Sequence, residues 1–172
     1  NKNMLPNFII IGSQKSGTTS VYNILKNHPS FYFPDQKEIN FFFHDSLYEK
    51  GVKHYSNLFT GSDKNKVIIG EASPGYICHP DSPQRIKKHI PNAKMLLILR
   101  NPIERAYSQY WDNRRKLSET NTFSQTIDKF LDTNYQPGKI GYFSRGVYIK
   151  HINNYFKYFN RDQMLILLFD DL

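Results

Sequence analysis

Cysteine, long apolar runs and acidic side chains are all scarce in this chain of 172 residues. Cys78 is the single cysteine, so no disulfide can close within the chain, and a reducing compartment is permitted. No base stands nearby to activate the thiol, and Cys78 is expected to be structural or incidental rather than a nucleophile. The longest apolar runs, Phe8 to Ile11 and Met95 to Leu99, fall far short of the roughly 20 residues that a membrane span requires. His44, His54, His79, His89 and His151 show no metal-ligand spacing, so no metal site is expected. Neither a repeat nor a low-complexity tract is present.

The shortage of acid leaves a surplus of base. Lys and Arg number 23 against 15 Asp and Glu, a formal net charge of +8, and they are spread along the whole chain. That distribution favours an anionic ligand or polymer over a disordered basic arm. Phenylalanine (13) and tyrosine (12) are abundant, which suits either a filled core or an aromatic-lined cleft. With 39% hydrophobic residues and this length, one domain with a real core is expected.

The apolar runs Phe8 to Ile11, Val67 to Ile69, Met95 to Leu99 and Met164 to Phe169 read as strands covered on both faces. Segments of helical period lie between and around them: Thr19 to Asn27, Gln84 to His89, Ile103 to Leu117, Phe123 to Leu131 and Val147 to Phe159. This alternation predicts an α/β domain, a three-layer α/β/α arrangement around a central, mainly parallel sheet. Pro102, with Glu104 behind it, marks the start of one helix, and the hydroxyls of "GTTS" are expected to cap another. Segments 60–66 and 134–139 read as surface loops.

The stretch "FIIIGSQKSGTTSVYNIL" passes from strand through glycine into helix, a geometry that aims unpaired backbone N–H groups and the helix dipole at one point. Gly12 and Gly17 permit close approach, and Ser16, Thr18, Thr19 and Ser20 add hydroxyl donors. The G-x-x-x-x-G spacing of an ATPase phosphate loop is kept, but Thr18 stands where that loop has lysine, and the lysine is Lys15, inside the loop. An anion other than a triphosphate is therefore expected, the bland alternative being a capped helix with a solvated Lys15. "MLLILRNPIERAYSQYW" repeats the strand-to-helix plan, with Arg100 at a strand's carboxyl end and Ser108 on the helix. Arg100 offers a planar fork of donors and Ser108 a hydroxyl, although a helix-capping Arg100 and a packing Ser108 would fit the spacing equally. Arg105 is expected to form a structural salt bridge with Glu104 or Asp112. Two phosphate sites on one sheet edge would suit a nucleotide phosphorylated at two places.

These two motifs, in this order, resemble those of the sulfotransferases that use 3′-phosphoadenosine 5′-phosphosulfate (PAPS). "GSQKSGTTSVYNIL" is similar to that family's 5′-phosphosulfate loop, and "LLILRNPIERAYSQYW" to its 3′-phosphate motif. "KEINFFFHDSLYEKGVKHYSNLF", "GEASPGYI" and "RGVYIKHINNYFKYFNRDQMLILLFDDL" resemble the heparan-sulfate-type branch and its bacterial relatives. Asn40 departs from the histidine that some of those relatives carry.

The resemblance implies in-line transfer of a sulfuryl group from PAPS to a hydroxyl or amine, with no metal. The product nucleotide would be adenosine 3′,5′-bisphosphate, and the acceptor a carbohydrate, a small metabolite or a carrier-bound substrate. Glu38 would be the catalytic base and Lys15 the group that stabilises the leaving phosphate. Lys15, Ser16, Gly17, Thr18, Thr19, Ser20, Arg100 and Ser108 would bind the nucleotide, and His44 would be a secondary acid or base. Without the resemblance, "QKEIN" reads as the exposed start of a helix whose dipole Glu38 serves, and Phe41 to Phe43 read as core.

The resemblance further implies a single sulfotransferase domain over 1–172 that lacks its C-terminal part. A cytoplasmic setting of bacterial type is expected, the lumen of the Golgi being the other setting the family offers. No signal-peptide pattern opens the sequence. Two readings compete: a P-loop nucleotide kinase, and a non-enzymatic basic domain that binds polysaccharide or nucleic acid.

Overall fold

A computed structural model describes residues 4–60, 67–132 and 141–172. The expected loops at 60–66 and 134–139 fall almost wholly outside the described residues. Elements follow in the order β1 (Phe8–Gly12), α1 (Thr18–Lys26), β2 (Phe31–Tyr32), α2 (Asp45–Tyr48), α3 (Gly51–Asn57) and β3 (Ile68–Ala72). Then come α4 (Ser82–His89), β4 (Lys94–Leu99), α5 (Pro102–Arg115), α6 (Phe123–Asp132), α7 (Tyr148–Tyr155) and β5 (Met164–Leu168). The five strands form one sheet in the order β2-β3-β1-β4-β5, and every neighbouring pair is parallel.

Alternation along the strands assigns the layers. Ile9 and Ile11 of β1, with Met95 and Leu97 of β4, point to one face. Tyr55 of α3, Ile86 of α4 and Tyr155 of α7 cover them, together with Phe41, Phe42, Phe59 and Tyr76. Ile10, Leu96 and Ile98 point to the opposite face, under Val21, Tyr22 and Leu25 of α1. The result is the three-layer α/β/α plan expected from the sequence. Each fully buried aliphatic or aromatic side chain stabilises this arrangement by roughly 1.5–3 kcal/mol. Most of the abundant aromatics serve this purpose: the rings of Phe41 and Tyr55 stack at 4.5 Å, and Phe42 meets Tyr55 edge-on at 5.1 Å. The remaining helix, α5, packs sideways through Ala106 and Tyr110 against Tyr142 and Phe123.

The structure corrects several expectations. β3 runs from Ile68 to Ala72 rather than Val67 to Ile69, and Val67 is exposed. Its pairing with β1 sets Phe8 opposite Gly70, Ile9 opposite Glu71 and Ile10 opposite Ala72, so backbone registry overrides weak local propensity. Gly70 is required because a Cβ there would lie 2.3 Å from the ring of Phe33. β5 is not covered on both faces: Leu165 and Leu168 are exposed, and β5 pairs with β4 alone among the described strands. α7 ends at Tyr155 rather than Phe159, and β2, α2 and α3 were not foreseen.

Among the described residues Arg105 makes no salt bridge. It is fully buried and donates to Gln109 Oε1 at 2.8 Å and to the carbonyl of Tyr142. Among the described residues no helix is long and apolar enough to cross a membrane.

Candidate functional site

The chain leaves β1 toward one side of the sheet, to β2 and β3, and leaves β4 toward the other, to β5. The crevice between the carboxyl ends of β1 and β4 is therefore the switch point where open parallel sheets collect ligands. A cleft of about 400 Å³ lies there. Gln14, Lys15, Gly17, Thr18 and Thr19 line it from the β1–α1 loop, and Arg100, Ser108, Asp112 and Lys116 from the β4–α5 side. Glu38, Pro74 and Phe169 complete the wall.

The β1–α1 loop is anchored by Ser13, whose N–H and Oγ both donate to the carbonyl of Ile98, at 2.9 and 3.0 Å. The backbone then turns through Lys15 at φ 69° and Gly17 at φ 78°. Gly17 is needed on two counts: the left-handed φ, and a phantom Cβ only 3.0 Å from the Phe169 ring. The first bond within α1 runs from Val21 N–H to Gly17 O at 3.2 Å, and no side chain caps the helix. The N–H groups of Thr18, Thr19 and Ser20 thus lack acceptors within the helix, at the positive end of its dipole.

The expected hydroxyl caps do not form. Thr18 is buried, and Thr19 Oγ1 accepts from Lys37 Nζ at 2.6 Å. Ser16 is fully buried, its Oγ 2.6 Å from Ser13 Oγ, so it braces the loop from beneath. Ser20 is exposed and outside the cleft lining. The structure therefore brings Lys15, Gly17, Thr18, Thr19, Arg100 and Ser108 together at one cleft, but not the hydroxyls of Ser16 and Ser20.

The β4–α5 junction is built differently. Asn101 Oδ1 accepts from the N–H groups of Ile103 at 3.0 Å and Glu104 at 3.4 Å, which closes the N-terminus of α5. What remains for an anion is side chains, Arg100 and Ser108. Arg100 pairs with Glu104 at 3.2 Å, donates to Lys15 O at 3.4 Å, and lies 4.6 Å above the Phe169 ring. Lys15 Nζ stands 3.5 Å from Asp112, which also pairs with Lys116 at 2.8 Å and Arg115 at 3.4 Å. The hydrogen bond from Lys116, aided by the charge of Lys15, holds the Asp112 carboxyl below the usual carboxylate range. Asp112, Lys116, Lys37 and Phe169 were missed in the sequence. Ser108, Asp112 and Lys116 stand four residues apart, one stripe along α5, and that spacing was the available signal.

Glu38 does not begin a helix. Residues 37–40 have no regular structure, and Glu38 and Asn40 both take φ 54°. Such a conformation costs a non-glycine residue about 1–2 kcal/mol, and a ladder of bonds sustains it. Glu38 N–H donates to Ala72 O at 3.0 Å, Asn40 N–H to Ser73 Oγ at 3.0 Å, and Phe42 N–H to Tyr76 OH at 3.3 Å. Asn40 Nδ2 closes the turn on Glu38 O at 2.9 Å. Glu38 itself is exposed.

A second cavity, of about 230 Å³, is lined by Asn40, Phe43, His44, Gly75 and Arg145, and shares Gln14, Glu38 and Pro74 with the first. Phe41 and Phe42 are core, as expected, whereas Phe43 lines this cavity. Cys78 is buried and bonded to Gly75 O at 3.1 Å. Burial pushes its thiol pKa up, which suits a structural residue.

Below the Glu38 turn, Glu71 is fully enclosed and accepts hydroxyl bonds from Ser73 at 2.7 Å, Tyr76 at 2.6 Å and Tyr55. Burial raises its pKa, and the three hydroxyl bonds pull it back toward ionisation.

Known proteins share this architecture. The family model "Sulfotransferase domain" matches residues 5–172. The membrane-associated sulfotransferase kil1 of Dictyostelium discoideum is 42% identical over 119 residues, covering 65% of this chain and 25% of that protein. Mouse (Mus musculus) heparan sulfate glucosamine 3-O-sulfotransferase 5 is 33% identical over 166 residues, 95% of this chain and 47% of that protein. The crystal structure of a sulfotransferase from Alicyclobacillus acidocaldarius superposes with a TM-score of 0.83 at 31% identity, covering 98% of this chain and 74% of that one. The chain thus spans less than half the length of these two curated relatives.

Proposed function

This chain belongs to the sulfotransferase domain family, and from that premise we propose that it moves a sulfuryl group from PAPS to an acceptor hydroxyl or amine. The observation that carries the reading is the position of Glu38, in the wall shared by two cavities. One holds Lys15, the open α1 terminus, Arg100 and Ser108; the other is free to seat an acceptor.

The cationic cleft fits the donor. Gly17, Thr18 and Thr19 at the α1 terminus take the 5′-phosphosulfate, with Lys15 beside them, and Arg100 and Ser108 take the 3′-phosphate. Ser16 contributes through the loop backbone, and Ser20 through its N–H in the first turn of α1, rather than through their hydroxyls. PAPS supplies an activated sulfuryl group whose leaving group is a phosphate. Glu38 accepts the acceptor's proton as the acceptor oxygen or nitrogen bonds to sulfur, a contribution of roughly 10² to 10⁴ in rate. Lys15 stabilises the charge that collects on the former bridging oxygen as its bond to sulfur breaks. Asn40, Phe43, His44 and Arg145 then surround the acceptor, and Arg145 favours a carbohydrate or metabolite that carries an anionic group.

The test is a titration with adenosine 3′,5′-bisphosphate in the presence of a chelator, followed by a radiolabelled sulfate-transfer screen over sugars, polysaccharides and hydroxyacyl compounds. Magnesium-independent binding and transfer are expected. Glu38→Gln should lower transfer by roughly 10²-fold or more while leaving the nucleotide's Kd within about twofold. Binding that requires magnesium would turn the reading toward a nucleotide kinase. Steeply salt-dependent polymer binding without nucleotide affinity would turn it toward a basic binding domain.

A further inference from the structure

The geometry points to Glu71 as a positioning residue: through the hydroxyls of Ser73 and Tyr76, its carboxyl group holds the turn that carries Glu38. The inference rests on the reading of Glu38 as base but is argued from different contacts. Every link is buried, with Glu71 at 1% exposure and Ser73, Tyr76 and Tyr55 at 0%.

The direction of the hydrogen bonds follows from valence. Ser73 Oγ already accepts from Asn40 N–H, and Tyr76 OH already accepts from Phe42 N–H. Each hydroxyl has a single proton, and each points it at Glu71 Oε1, at 2.7 and 2.6 Å. Tyr55 OH donates to Oε2. Ser73 and Tyr76 therefore both require Oε1 as acceptor, and a carboxyl oxygen with two lone pairs meets both.

The relay reaches the two amides that follow Glu38 at alternate positions in the left-handed turn. Glu38 and Asn40 hold φ 54° only while those amides have fixed acceptors. Tyr55 is bonded to the same carboxyl group but to no amide of the turn, so it is a built-in control. Removing its hydroxyl disturbs the buried carboxyl group without cutting the relay.

The experiment compares wild type with Ser73→Ala, Tyr76→Phe and Tyr55→Phe in four measurements. These are amide hydrogen exchange at Asn40 and Phe42, thermal stability, Kd for adenosine 3′,5′-bisphosphate, and kcat with the best acceptor of the transfer screen. Ser73→Ala is expected to speed exchange at Asn40, and Tyr76→Phe at Phe42, by about tenfold or more, with kcat down roughly 10- to 100-fold and nucleotide Kd unchanged. Tyr55→Phe is expected to lower Tm yet keep exchange at both amides and kcat within about twofold of wild type.

Unchanged exchange at Asn40 in Ser73→Ala, or kcat losses that follow Tm alike in all three variants, would overturn the inference. Should one relay variant fail to fold, the other tests the same claim at its own amide. The exchange readout needs no acceptor, so failure of the relay and failure of the sulfuryl-transfer reading are told apart.

Discussion

The two strand-to-helix junctions beside the cleft look alike in sequence and differ in what they offer an anion. After β1, the helix terminus is left open, with a left-handed Gly17, no side-chain cap among the described residues, and N–H groups without acceptors inside the helix. After β4, Asn101 seals the helix terminus, and binding is handed to Arg100 and Ser108. One junction is backbone chemistry and tolerates little change in chain geometry. The other is side-chain chemistry and can be retuned one residue at a time.

Substitutions can break or sharpen this contrast. The largest effect is expected at Lys15, where the open loop meets the reacting bond. Lys15→Ala should cut the transfer rate by about 10² to 10³ and weaken nucleotide binding as well. An unaffected single-turnover rate would remove Lys15 from the reaction and leave the loop a binding device alone.

At the sealed junction, Arg100→Ala should act on affinity rather than rate. Kd for adenosine 3′,5′-bisphosphate should rise about 10-fold, the scale of one charge-assisted contact, while adenosine 5′-monophosphate, which has no 3′-phosphate, shows little change. Equal losses for both nucleotides, measured by calorimetry, would erase the division of labour between the junctions. The smallest effect is expected at the seal itself. Asn101→Ala should lower stability by about 1 kcal/mol in denaturant melts and leave nucleotide affinity as it was. An affinity that rises on uncapping would mean that α5 also presents its terminus to the ligand.

Legibility in the sequence follows the same division. Lys15, Gly17, Arg100 and Ser108 could be picked out because strand, loop and helix are contiguous there, so local pattern and local structure coincide. The parallel α/β plan was legible for the same reason, in the unbroken runs of β1 and β4. β3 was misplaced because Gly70 and Glu71 are poor strand formers locally, and only their registry with β1 and the hydroxyls around Glu71 make the strand. Arg105 was misread because its partners are neutral, the Gln109 amide one turn on and a backbone carbonyl 37 residues away, and no spacing rule reveals the second. Glu38 stood out through family likeness alone. Read by propensity its segment is the start of a helix, and the turn that replaces the helix is held by acceptors from β3 and the loop after it. Hydroxyl count also misled: Ser16, in the loop, turns inward to Ser13, and Ser20, in the first turn of α1, faces solvent.

Phe169 carries a consequence in time. Its ring lies against Gly17, at the open junction, and under Arg100, at the sealed one, and it follows directly on β5, the last of the described strands in chain order. Both halves of the cleft can be made early, but neither reaches its final shape until β5 has paired with β4 and brought that ring into place. On a ribosome, the final shape of the cleft therefore waits for β5 rather than growing steadily with chain length. A nascent chain stalled before residue 169 would possess Lys15, Arg100 and Ser108 and still lack the ring that packs against Gly17 and under Arg100.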